Sequence, residues 1–287
     1  MPLDQVDIDK IDLATGKLKA EAEMSFFDHI EELRWHIMRA VGAIVLCGIV
    51  IFMLGDEVFK NIIFGPKEEW FLSYRGICGF SELIGLGESL CFAPPDFEVQ
   101  AVEFAEAFIT HIKVAFIGGF VVAFPYVFYQ IWSFIKPGLY ENEQKAARGT
   151  VFVCSVLFSI GVLFGYFIIS PFAVNFLAGY SIPGVVNNPT LSSYVNYMVM
   201  FTVPAGIVFE LPVVVYFLAK IGLIDADFLR TYRKHSVIII LVAAAIITPP
   251  DVVTQCLIGI PLYILYEISI LIAARVEQET SPVITEA

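Results

Sequence analysis

Apolar runs long enough to cross a lipid bilayer recur along this chain, and nothing else in the sequence limits its fold as much. A spanning helix needs about 20 predominantly apolar residues. Such runs occupy about 35–54, 108–132, 150–170, 194–219 and 252–274, with a shorter one at about 236–248. No water reaches the hydrocarbon core, so backbone groups there must be satisfied within each segment, which makes the runs helices. Only 16% of residues are charged, against about a quarter in soluble domains. The sequence predicts an all-α integral membrane protein with six transmembrane helices in one membrane domain, about 24–275.

The last two spans are short. The run at 236–248 supplies only about 20 Å of helix at 1.5 Å per residue, against a core of about 30 Å. Thr248-Pro249-Pro250-Asp251 then turns the chain back. Pro125, Pro204, Pro212 and Pro261 fall inside spans, and Pro171 is expected to end the third. Basic residues set the orientation. Arg34, Arg39, Lys136, Lys145, Arg148, Lys220, Arg230, Arg233, Lys234 and Arg275 share one side, while Lys60, Lys67 and Arg75 lie on the other. Both termini are therefore expected in the cytoplasm. Residues 1–23 read as a disordered cytoplasmic tail without a signal-peptide core, and 276–287 as a second tail. The extended outer loop, 55–106, carries Trp70, Phe71, Tyr74 and Phe80, expected as membrane-surface aromatics.

Enzyme signatures are missing. There is no His-Glu-x-x-His, no Gly-x-Ser-x-Gly elbow, no phosphate-cradling loop and no dinucleotide fingerprint. His29, His36, His111 and His235 show no ligand spacing, so neither metal nor cofactor is expected. The net charge of -12 argues against a nucleic-acid partner. Cys47, Cys154 and Cys256 sit in apolar runs and pack as small hydrophobes; Cys78 and Cys91 share the outer loop, either as a disulfide or as two thiols.

Four acidic features stand out. In Phe26–Trp35, Phe26, Ile30, Leu33 and Ile37 share one helical face, and Asp28, Glu31 and Glu32 the opposite one. Juxtamembrane segments on the cytoplasmic side usually carry basic residues, so this is either a carboxylate row held for a ligand or a solvated first turn. Glu210 lies inside the fourth span, where an ionisable group costs at least about 2.5–3.5 kcal/mol unless it meets protein, water or a partner. It fits an ion site, a structural hydrogen-bond hub or a contact for another membrane helix. Asp251 and Gln255, with Thr248 and Thr254, form a polar patch that reads equally as an N-cap. Glu143, in the inner loop, reads by itself as a solvated acid.

The motifs His29-Ile30-Glu31-Glu32-Leu33-Arg34, Tyr129 to Tyr140 running into Glu143, Phe209-Glu210-Leu211-Pro212, Thr248-Pro249-Pro250-Asp251 and Tyr266-Glu267, in this order, resemble the TatC subunit of the twin-arginine protein translocase from about Phe26 to Ala274. The resemblance implies a bent, glove-like arrangement in a bacterial cytoplasmic (inner) membrane. It also implies a receptor that binds twin-arginine signal peptides of folded cargo and works in a multimeric complex with single-span TatA/TatB-type subunits and lipid. It places the arginine-pair site at Glu32 and Glu143, with Glu31, Arg34, Phe134 and Pro137 in support. It places the partner contact at Glu210, Thr248, Asp251 and Gln255. Glu31 beside Glu32, the long first outer loop and the extended tail depart from the family pattern. The residues alone also admit a proton-coupled secondary transporter using Glu210, or a membrane scaffold; the absence of internal repeats argues against a transporter.

Overall fold

A computed structural model of the chain describes residues 11–12, 17–18, 26–68, 70–83, 97–135, 149–180, 182–184, 187–247 and 252–280. Apart from a two-residue antiparallel pairing, Ile11 opposite Leu18 and Asp12 opposite Lys17, its regular structure is helical. We label the main helices α1 (Phe26–Met53), α2 (Leu72–Leu83), α3 (Glu106–Ile135), α4 (Thr150–Gly179), α5 (Leu191–Val208), α6 (Leu211–Lys220), α7 (Ala226–Thr231), α8 (Arg233–Ile247) and α9 (Val252–Thr280). Among the described residues, five helical segments are long and apolar enough to cross a membrane, with α5 and α6 forming one of them. Of the six expected spans the exception is α8, whose 15 residues make about 22 Å of helix.

Prolines act differently at different places. Pro171 does not end its helix as expected. The chain passes through a π-helical stretch at Gly165–Ile169, where the Ser170 N–H bonds the Gly165 carbonyl five residues back. Pro171 then stands in the first turn of the continuing segment, where its missing N–H costs nothing. Pro212 does interrupt its span. Residues Phe209 and Glu210 separate α5 from α6, and Pro212 opens the second piece. At the end of the chain α9 runs to Thr280, six residues beyond the expected span. It is held there by α7: Tyr266 Oη donates to the Leu229 carbonyl (2.7 Å) and Glu277 accepts from the Ala226 N–H (2.6 Å).

Helix pairs approach through small residues, as they do where lipid supplies no hydrophobic drive. The backbone of α4 meets α5 so closely at Gly165 that an added Cβ would stand 2.4 Å from the Phe201 carbonyl oxygen. Phe158, Phe201, Ile169 and Val195 fill the core around this crossing. Helix α1 packs on α3 and is otherwise peripheral; 11% of its apolar window is buried, against 44% for 191–220. At the α1–α3 crossing, a Cβ on Gly119 would lie 2.7 Å from both Gly48 N and Ile44 O. Gly119→Leu is therefore expected to prise α1 away, at an overpacking cost of about 1–3 kcal/mol. Thermal aggregation in detergent reads this as a lower midpoint; an unchanged midpoint would show that the crossing yields.

The outer loop is fastened to the bundle rather than laid on the membrane surface. Phe71 stacks on Phe167 (5.4 Å) and meets Tyr166 edge-on (5.3 Å). Tyr166 and Tyr194 hydroxyls donate to the Ile62 and Ile63 carbonyls at 2.6 and 3.0 Å, and Tyr74 donates to the Pro66 carbonyl. Phe71 and Tyr74 are thus buried core residues, correcting their expected surface role, whereas Trp70 is exposed. Trp70, Phe71 and Tyr74 cluster within five residues, as aromatics at a membrane surface do, and that clustering is what suggests the surface role. The side chain of Phe80 lies outside the described residues. Cys78 is disulfide-bonded; Cys91, the other cysteine of the outer loop, is outside the described residues. Cys47, Cys154 and Cys256 are free.

Candidate functional site

The acidic start of α1 meets α3 along one seam. Ile30, Leu33 and Ile37 point outward and are exposed, whereas Ala40 is buried against Ala123 and Val127 of α3. Glu32, His36 and Ala40 recur every four residues, which puts all three on the α3 side of the helix. Glu32 is accordingly half-buried and Glu31 exposed. Glu31 accepts a bond from Arg34 one turn on (3.3 Å), with both side chains largely in solvent, so the pair adds little stability. Glu32 has no hydrogen bond or ion pair among the described residues. Both acids, with Trp35, His36 and Arg39, line an open groove of about 520 Å³.

On the facing helix, the second motif supplies the other wall. Gln130 is buried, and its Oε1 accepts a bond from His36 Nδ1–H at 2.6 Å. One turn further along α3, the Phe134 ring meets the His36 ring edge-on at 6.3 Å. Trp132 is buried from the other side, 4.7 Å from the Phe217 ring of α6. The helix that carries the first motif and the start of the inner-loop motif are therefore joined through side chains, at His36 just past the first motif. Pro137 and Glu143 lie outside the described residues. His36 and Gln130 were not singled out in the sequence. The available signal was a lone amide near the end of an apolar run, which needs a polar partner in a membrane helix.

Glu210 sits at the break between α5 and α6, facing α4. Its backbone carbonyl accepts from Val213 and Val214 (3.0 and 3.1 Å), but both carboxylate oxygens are buried without a hydrogen bond. The Cys154 thiol and the backbone at Phe158, both on α4, lie near enough to influence it electrostatically without meeting hydrogen-bond geometry. An orphaned buried carboxylate is costly, and its position follows from Pro212, which breaks the helix beside it.

In the patch expected around the short turn, Gln255 Nε2 donates to the Leu241 carbonyl (3.1 Å), so its amide ties α9 to α8. Thr254 is fully buried. Thr248 and Asp251 lie outside the described residues. Near the far end of the same two helices, Glu267 accepts bonds from Arg233 (2.7 Å) and Tyr263 (2.9 Å).

The chain matches the family model described as Sec-independent protein translocase protein (TatC) over residues 28–261. It is 38% identical over 259 residues to the Sec-independent protein translocase protein TatC of Blattabacterium sp. subsp. Periplaneta americana, covering 90% of this chain and 97% of that protein. Its identity to the corresponding protein of Campylobacter jejuni is 40% over 249 residues, covering 86% and 93%. A solved structure described as the twin arginine translocase receptor TatC superposes with a TM-score of 0.64 at 31% identity, covering 87% of this chain and 99% of that one. A second, of the receptor in DDM, gives 0.66 at 32%, covering 85% and 99%.

Proposed function

The chain belongs to the TatC family of Sec-independent protein translocase proteins, and on that premise we propose that it is the receptor of a twin-arginine translocase, a transport component rather than an enzyme. It binds twin-arginine signal peptides and, with single-span TatA/TatB-type subunits in a multimeric complex, exports folded proteins across a bacterial inner membrane. The membrane domain spans six times, α8 being the short fifth crossing, with both termini in the cytoplasm and the helices in a glove-like arrangement. The tails flank this domain, and outer loop 55–106 joins its first two spans.

Glu32 and Glu143 take the two arginines. The observation that carries this reading is the unpaired, half-buried Glu32 on the seam that leads into the loop bearing Glu143. A guanidinium offers two parallel N–H donors to a carboxylate, which the point-like ammonium of lysine does not. Glu31 is exposed and only loosely paired with Arg34, whereas Glu32 lies half-buried on the α3 side of the helix. Arg34, Phe134 and Pro137 shape the surroundings. Glu210, with Thr248, Asp251 and Gln255, meets the partner helices. A proton-carrying transporter would need a relay, and among the described residues Glu210 alone holds buried carboxylate oxygens without a hydrogen bond.

Export tests the reading. In bacterial cells lacking their own receptor, this chain produced with its own single-span partners is expected to export a folded reporter carrying an Arg-Arg leader. A Lys-Lys leader should fail. Equal export of the two leaders would defeat the proposal.

A further inference from the structure

Besides the apolar contact of Ala40 with Ala123 and Val127, three ties hold α1 to α3, each at a different level. At the far end, His111 of α3 stacks on Phe52 (4.1 Å) and bonds its carbonyl through Nε2 (3.1 Å). In the middle stands the Gly48–Gly119 crossing. At the end bearing the acids, the His36–Gln130 bond closes the seam. With so little of α1 buried elsewhere, its placement depends on these ties. The two helices run antiparallel, so Glu32, one turn before His36, and Phe134, one turn after Gln130, stand at the same level just beyond the bond.

We infer that His36 and Gln130 are positioning residues: their hydrogen bond fixes the rotation and height of α1 on α3, so that Glu32 is presented to the signal peptide in a geometry that selects arginine over lysine. This inference rests on reading Glu32 and Glu143 as the arginine-pair site. Two-pronged recognition tolerates little displacement, because both N–H groups must meet both oxygens together, whereas a single ammonium tolerates a displaced acid. Loss of the bond should therefore weaken Arg-Arg binding far more than Lys-Lys binding, and erode discrimination before it abolishes attraction. Gln130 is buried and His36 partly so, which shelters the bond from water on the α3 side.

The test uses the full chain in membranes with its single-span partners and photoreactive Arg-Arg and Lys-Lys peptides. His36→Phe keeps a ring beside Phe134 but removes the donor; Gln130→Met keeps the bulk but removes the acceptor. Each is expected to lower the Arg-Arg to Lys-Lys affinity ratio about 10-fold, as loss of directional charged bonding does. The exchanged pair, His36→Gln with Gln130→His, should recover most of the ratio. If a single variant does not accumulate, the double variant His36→Phe with Gln130→Met, which leaves no buried polar group orphaned, carries the measurement. A retained ratio in these variants, or an exchanged pair that folds without recovery, overturns the inference. Glu32→Ala run in parallel separates the two failures: if it too keeps Arg-Arg binding, the receptor site itself is misplaced.

Discussion

Glu32→Ala is expected to weaken capture of an Arg-Arg peptide by at least about 10-fold, since hydrogen bonds to charged groups contribute about 1.5–3 kcal/mol each. The protein should still insert and fold, because Glu32 makes no hydrogen bond or ion pair among the described residues for the fold to lose. Glu143→Ala should match it. The double variant should lose little more than either single one if the two acids grip one bound pair as a unit, since contacts of one network are not additive. Glu31→Ala provides the contrast. Its carboxylate is exposed and shared with Arg34, so its removal should change capture less than about threefold. Titrating photoreactive peptide against membranes holding each variant reads all four. A Glu31→Ala loss equal to that of Glu32→Ala would mean that the two acids share the site.

Glu210→Leu should divide stability from assembly. The native carboxylate is buried with both oxygens unbonded, a burden of about 2.5–3.5 kcal/mol on insertion scales. Leucine removes that burden at similar bulk, so the isolated chain should unfold at a higher temperature than the wild type. The same change deletes the polar group offered to a partner helix, where an interhelical hydrogen bond contributes about 0.6–2 kcal/mol. Crosslinking of the single-span subunits to the α5–α6 break should then fall roughly 3- to 30-fold. Glu210→Gln keeps hydrogen-bonding capacity without the charge and should retain much of that crosslinking. Detergent melting curves and cysteine crosslinking check the two halves separately. A Glu210→Leu chain less stable than wild type would identify the acid as a structural hub instead.

The membrane helices could be read almost directly, because a bilayer admits few alternatives to a helix wherever about 20 apolar residues follow one another. Boundaries were harder. Pro171 reads as a stop, yet a π-register shift at Gly165–Ile169 carries the helix past it; the shift leaves no mark in hydropathy. The extra turns of α9 depend on Tyr266 and Glu277 reaching α7, a tertiary cause invisible to a local window. Phe71 became core rather than surface because Tyr166 and Phe167 wait for it far along the chain, and Tyr74 follows by packing on Phe71. At the candidate site, Glu32 was legible as an acid against the local charge rule, and Glu210 as a charge inside a span. Gln130 was hidden in a motif, and its partner His36 sits 94 positions away. No spacing rule joins them; only the packing of α1 on α3 does.

The assignment of Glu32 stands or falls on whether paired arginines, and not merely positive charge, settle beside it. A photoreactive side chain in place of Trp35, which lines the same groove and is exposed, reports contact there without removing either acid. In membranes holding this chain and its single-span partners, an Arg-Arg signal peptide should label that position. A Lys-Lys version should not label it, and the labelling should vanish with Glu32→Ala. Equal labelling by both peptides, or labelling that survives Glu32→Ala, would contradict the assignment.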